Sequence, residues 1–249
     1  MDRFRFTTIA HAGLAILNPI GSAKLDEALL RLELSPGARV LDAGCGKAEA
    51  LARLAERYGA SGVGVDPNPE FLKEAARRHS ALDLRRGEIA LQSFDTHSFD
   101  AAICVGSTHA FGDFESALVE LRVLLRPGGC ALVGEGYWKH KPDPEYLALL
   151  EAQESDFTDL VGLATRAREA GYSLRWSAAA DDAEWDAYEV TYAQNVERFV
   201  REHPEDPDAA EMTARIRRWH DGYRKWGRET LGFSLFVLNI ALSEGSAIP

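Results

Sequence analysis

The stretch Arg39-Val40-Leu41-Asp42-Ala43-Gly44-Cys45-Gly46-Lys47-Ala48-Glu49 decides the fold. Val40 and Leu41 close a short apolar strand, and Asp42 stands at its C-terminal edge. Gly44 and Gly46 let the backbone turn sharply and approach a ligand with no Cβ in the way. A helical pattern follows at once, with Ala50, Leu51, Leu54 and Ala55 on one face. A strand–glycine turn–helix unit aims helix N–H groups at whatever lies in the turn, which suits a nucleotide or a carboxylate. An ordinary tight turn explains an isolated G-x-G equally well. The flanking Val-Leu-Asp and the helix that follows favour the nucleotide site.

Outward from this turn, strands and helices alternate. Strand 38–42 leads to helix 47–58, and Ser61-Gly62-Val63-Gly64-Val65-Asp66 is a second strand ending in an acid. Pro69 opens a helix with Phe71, Leu72, Ala75 and Ala76 as its apolar positions. Residues 81–86 form a weaker third strand, and Phe99 to Val105 a fourth. Helix 113–125 is stopped by Arg126-Pro127-Gly128-Gly129, and 130–135 is the fifth strand. Residues 137–144 read as a loop, 157–170 as a helix and 172–178 as a strand. Two long helices, 181–203 and 207–230, carry aromatic stripes, and a nearly continuous apolar strand closes the chain. This rhythm predicts right-handed βαβ crossovers and a mostly parallel sheet covered on both faces.

Three motifs together resemble the class I S-adenosylmethionine (SAM)-dependent methyltransferases. They are Leu41-Asp42-Ala43-Gly44-Cys45-Gly46, Val63-Gly64-Val65-Asp66 and the Arg126-Pro127-Gly128-Gly129 turn. The family's third motif glycine is replaced by Ala48, which reads as a mild departure where only close packing is asked. Residues 104–108, 134–138 and the helical pair ending at Trp226 are similar to a narrower bacterial group, the YjhP-like small-molecule methyltransferases. The resemblance implies a Rossmann-like α/β domain with a seven-stranded sheet and an antiparallel last strand. It implies one domain over 1–249: an N-terminal lid and helices (1–35), a SAM-binding core (36–180), a helical lid (181–231) and a last strand (232–242).

The same resemblance assigns a cofactor site to the carboxyl ends of the strands, where open α/β sheets bind ligands. Asp42 would hold the methionine ammonium group, and Gly44, Cys45 and Gly46 would admit the amino-acid portion. Asp66, 22 residues beyond Gly44 and followed by Pro67, would accept the ribose hydroxyls. Glu88 stands where the family usually has an Asp for the adenine amino group, with Ile89 packing on the ring. Val105 and Gly106 would lie beside the methyl donor. SAM is the expected cofactor and S-adenosylhomocysteine its product. His109 is the best-placed base, on position alone. His11, Ser107, Tyr137 and Trp138 are candidate substrate contacts. The aromatics of the two long helices could cage a cation, although their spacing is also that of simple helix–helix packing.

Composition narrows the partners. The chain has 249 residues, net charge −11, 46% hydrophobic and 27% charged residues. Acidity of this size disfavours nucleic acid and anionic membranes as partners and favours a neutral or cationic small molecule. Three cysteines without metal-ligand spacing suggest reduced thiols, no metal site and a cytoplasmic protein, monomer or homodimer. Two rivals stand beside methyl transfer. A nicotinamide-dependent oxidoreductase would need a small residue where Glu49 stands. A non-catalytic SAM-binding sensor or scaffold would need no base.

Overall fold

The computed structural model describes residues 1, 2 and 4–241. Its first helices are α1 (Arg5–Ala10) and α2 (Ser22–Arg31), the latter burying Leu25, Ala28 and Leu29. β1 (Arg39–Ala43) then enters the core, with Val40, Leu41 and Ala43 wholly buried. α3 (Glu49–Tyr58), β2 (Ser61–Asp66), α4 (Pro69–Arg78) and β3 (Asp83–Arg86) follow. Pro69 sits in the first turn of α4, and the Asn68 side chain accepts from Glu70 N–H at 3.0 Å, which caps the helix.

β4 (Phe99–Val105), α5 (Phe114–Leu124) and β5 (Leu125–Trp138) continue the alternation. The Arg126-Pro127-Gly128-Gly129 segment ends α5 as expected, yet it lies within β5. Phe99 pairs with Leu125, and two residues later Ala101 pairs with Cys130. The surplus residues bulge out, with Gly128 at φ +78° and Arg126 bonded to Asp100 at 2.6 Å. α6 (Pro144–Leu150), α7 (Leu160–Glu169), β6 (Tyr172–Ala179), α8 (Asp182–Glu202) and α9 (Ala209–Gly222) come next. A π-helical turn (Tyr223–Gly227), the short α10 (Arg228–Thr230) and β7 (Leu231–Ile240) complete the description. Leu242, the expected end of the last strand, lies outside the described residues.

Among the described residues the seven strands form one sheet of order β3-β2-β1-β4-β5-β7-β6. Pairs from β3 through β5 are parallel, and the last strands are antiparallel. Two compact units emerge. One comprises Ser22–Glu135, Val161–Ala178 and the chain from Ser234 onward. Its core includes Phe99, Ile103, Leu118, Leu121, Leu125 and Phe236, each at most 2% exposed.

The other comprises Met1–Gly21, Gly136–Leu160 and Ala179–Phe233 and is mainly helical. Phe6, Ala10, Ala193, Val196, Met212 and Ile216 are its buried centre. The Asn195 amide donates to the carbonyls of Ala10 and Ala12 at 2.9 and 2.8 Å, tying the end of α1 to α8. α8 begins with a reciprocal cap between Asp181 and Glu184. Glu184 also accepts from Gly21 N–H at 2.9 Å.

Candidate active site

The turn after β1 is built from positive-φ backbone. Gly44 has φ +75° and Gly46 +53°, values that glycine adopts without steric cost. A Cβ at Gly44 would also overlap the Ser107 side chain. Ser107 therefore closes over the turn, and its hydroxyl donates to Ala43 O at 2.6 Å. Gly44 N–H and Cys45 N–H both donate to Val65 O, at 2.9 and 3.0 Å, which pins the turn to the end of β2.

Ala48 is the position where the family motif has its third glycine, and it too is left-handed, with φ +58°. The departure is thus conformational and not only a matter of packing. A non-glycine residue in this region costs about 1–2 kcal/mol. Burial offsets part of that cost: Ala48 is fully enclosed with Cys45, Leu72 and Ala75. No side chain caps α3, so its first N–H groups carry no side-chain acceptor.

Two carboxylates frame this turn. Asp66, 8% exposed, accepts from Gly46 N–H and Asn68 N–H, each at 2.8 Å. Burial raises its carboxyl, and those two backbone donors oppose the rise. Asp42 is 3% exposed, and no described residue donates a hydrogen bond to it. Burial first, then the charge of Asp66, push it up to about 7. A buried carboxylate without a partner suits a cation arriving from outside.

The remaining positions expected at the strand ends fall where the sequence implied. Pro67 follows Asp66 at the start of the α4 connection, and Glu88 lies close enough to raise the Asp66 carboxyl. Ile89 is 6% exposed and opens a short 3-10 turn. Val105 ends β4 and Gly106 follows it, at φ +70° and with its N–H bonded to Gly134 O at 2.9 Å. His109 is exposed on the 3-10 turn Thr108–Phe111. Its neighbour Thr108 is buried and donates to Glu135 at the end of β5, a pairing absent from the sequence reading of the site. Lys47 is also unexpected, being only 2% exposed and paired with Glu74 at 2.8 Å.

The other candidates belong to the helical unit. His11 is 7% exposed, and its Nδ1 lies 2.8 Å from Thr7 O and its Nε2 2.9 Å from Tyr188 Oη. Tyr137 packs against Gly232, where a Cβ would overlap its ring. Trp138 donates from Nε1 to Glu154 O at 2.9 Å and meets Phe157 edge-on at 5.1 Å. All three are therefore already tied into the helical unit's packing. Cys104 and Cys130 are pushed up to about 12 and about 11 by burial, and burial raises Cys45 further from reactivity. Among the described residues no group of three or more His, Cys, Asp or Glu could hold a metal ion. No helix is long and apolar enough to cross a membrane, again among the described residues.

Comparison with known proteins identifies the family. A family model described as a methyltransferase domain matches residues 40–129, which contain the glycine turn, both carboxylates and the β5 bulge. The Escherichia coli (strain K12) protein YjhP is 32% identical over 245 residues, 96% of this chain and 99% of that protein. A SAM-dependent methyltransferase from Geobacter sulfurreducens, solved with S-adenosyl-L-homocysteine, matches with TM-score 0.88 and 31% identity over 94% of this chain and 97% of its own. One from Thiobacillus denitrificans, also solved with S-adenosyl-L-homocysteine, gives TM-score 0.87 and 32% identity over 96% and 99%.

Proposed function

The chain belongs to the YjhP group of SAM-dependent methyltransferases, and from that premise we propose that its glycine turn holds SAM while its helical unit recognises a small-molecule acceptor. It is a methyltransferase, and SAM is its cofactor. When bound, SAM supplies a methyl group on a sulfonium, already activated for in-line substitution. The chain's own task is to bind, orient and exclude water, for which orientation alone can supply roughly 7–11 kcal/mol.

The observation that carries this reading is the pair Asp42 and Asp66 around a positive-φ turn. Asp42, buried and without a described donor, pairs with the ammonium group. Asp66 keeps acceptor capacity after its two backbone bonds and takes the ribose hydroxyls. Gly44, Cys45 and Gly46 leave room for the amino-acid portion, and the uncapped start of α3 favours its carboxylate. Pro67, Glu88 and Ile89 border the adenine, and Val105 and Gly106 the methyl donor. His109 accepts a proton where the acceptor is a hydroxyl or thiol, whereas a neutral amine needs no such base. The substrate is a small O, N or S nucleophile, handled by a cytoplasmic monomer or homodimer. The nicotinamide alternative falls with the family assignment.

The test is a calorimetric titration of the protein with S-adenosylhomocysteine, with NADH as comparator and Asp66→Ala as the variant. Binding of the former alone, weakened at least 100-fold in Asp66→Ala, supports the assignment. Preferential NADH binding, or unchanged binding in the variant, contradicts it. A screen of hydroxyl, thiol and amine acceptors with methyl-labelled SAM then identifies the accepting atom.

A further inference from the structure

The helical unit contains a second buried carboxylate that the cofactor site does not use. Glu189, on α8, is 2% exposed. Among the described residues its only hydrogen-bond donor is Trp219 Nε1, at 2.9 Å, and no cation pairs with it. Burial above all raises the hydroxyls of Tyr146, Tyr188, Tyr192 and Tyr223, and the Glu189 charge adds to each. One helical turn earlier, Trp185 is 9% exposed, and its buried Nε1 has no hydrogen-bond partner among the described residues. Its ring stacks on Tyr223 at 6.1 Å and 20°.

The backbone is irregular at the same place. Tyr223 begins the π-helical turn, and its hydroxyl donates to Asp186 at 2.6 Å. Tyr146 stacks on Trp226 of that turn at 6.0 Å, and Trp226 borders an open groove of about 510 Å³ between α6 and α9. Helical irregularities of this kind recur at functional sites.

Pure packing gains nothing from a buried carboxylate with no countercharge beside an indole N–H that no described residue accepts from, since an unpaired buried polar group costs about 1–3 kcal/mol. Aromatic faces together with a buried carboxylate attract a cation, and a lone indole donor asks for an oxygen.

We propose that Glu189, Trp185 and the Tyr223 ring stacked on it form a recognition site for a small amine or quaternary ammonium that carries an oxygen function, and that this group belongs to the methyl acceptor. The site rests on the methyltransferase reading only for that last clause. Glu189 takes the charged nitrogen, the stacked rings of Trp185 and Tyr223 offer it an aromatic face, and Trp185 donates to the oxygen. Burial pushes the Glu189 carboxyl up to about 7, as fits an acid awaiting a countercharge.

The probes are choline, its uncharged isostere 3,3-dimethylbutan-1-ol and ethanolamine, titrated at pH 8.5 and followed by tryptophan fluorescence. Wild type, Glu189→Gln and Trp185→Phe are compared, and S-adenosylhomocysteine binding is measured for all three. Choline or ethanolamine should bind at least tenfold more tightly than the neutral isostere. Glu189→Gln should weaken that binding by at least roughly tenfold, the size of one lost charge-assisted contact. Trp185→Phe should weaken it less, and S-adenosylhomocysteine binding should be unchanged. Equal binding of charged and neutral probes, no binding of either amine, or unchanged amine binding in Glu189→Gln overturns the proposal. Loss of S-adenosylhomocysteine binding in wild type would instead strike the methyltransferase reading, so the two failures are distinct.

Discussion

Asp42 and Glu189 are the same kind of group in two different settings. Each is a carboxylate no more than 3% exposed, each is pushed up to about 7, and burial is the largest cause in both. Around Asp42 the neighbours are backbone: a glycine turn, strand ends and the second acid Asp66, which adds to its rise. Around Glu189 the partner is a side chain, the indole of Trp219, and the Glu189 charge adds to the burial that raises four tyrosine hydroxyls. The first setting is made by a motif shared across a large family, and the second by aromatic side chains from separate helical segments. The difference teaches that a shared reaction is written in backbone geometry, whereas an individual substrate is written in side chains that stay cheap to vary.

The contrast can be broken or sharpened by substitution. The largest effect belongs to Asp66→Ala, which removes the acceptor of two backbone bonds as well as a ligand contact. S-adenosylhomocysteine affinity should fall by at least 100-fold, about 2.7 kcal/mol, in a titration. If the turn matters only for folding, affinity and thermal stability will fall together in Asp66→Asn as well.

Gly44→Ala is next. It places a side chain at φ +75° and against Ser107, at a cost of about 2–4 kcal/mol in denaturant unfolding. An unaltered unfolding midpoint would show that the turn is not held as described.

Glu189→Gln and Asp42→Asn should each stabilise the protein at pH 8. The folded protein holds these two protons more tightly than the unfolded chain, whose carboxyls titrate near 4. Stability from these groups is therefore fully present below about pH 4 and is lost as pH rises toward 7. Removing either charge should recover roughly 2 kcal/mol at pH 8 and little at pH 4, measured by urea unfolding at both values. The two variants should then part company, since Asp42→Asn loses S-adenosylhomocysteine and Glu189→Gln loses the amine. Parallel losses of both ligands would erase the distinction.

Ala48→Gly should change least, within about 1 kcal/mol. Relief of the left-handed backbone is opposed by the lost buried methyl and by glycine's freer unfolded chain.

Much of the sheet unit was legible in the sequence because each of its signals is local. A Val-Leu-Asp run, a glycine pair and a following 3.6-residue apolar period fix a strand, a turn and a helix within the sixteen residues 40–55. Asp66 was legible by its place at the end of β2. What escaped depends on contacts between distant residues. The β5 bulge arises because β4 dictates register on both sides of it, so a turn motif becomes an interruption inside a strand. α6, which follows the expected loop 137–144 in a stretch given no element, is seven residues and shows too few turns for a period. The left-handed backbone at Ala48 gives no signal in an alanine. Glu189 carried one faint sign, a charge inside the stripe of Trp185, Tyr188 and Tyr192, but only the fold of α8 and α9 gathers Trp219 and Tyr223 around it.

The most direct test of the cofactor assignment is proton linkage. S-adenosylhomocysteine binding would be measured calorimetrically at pH 7 in two buffers of different ionisation enthalpy. An ammonium group placed beside Asp42 draws its carboxyl back down from about 7, so binding should release roughly half a proton. Asp42→Asn should bind more weakly and release none. Tight binding with no proton released, or undiminished binding by Asp42→Asn, would contradict the account.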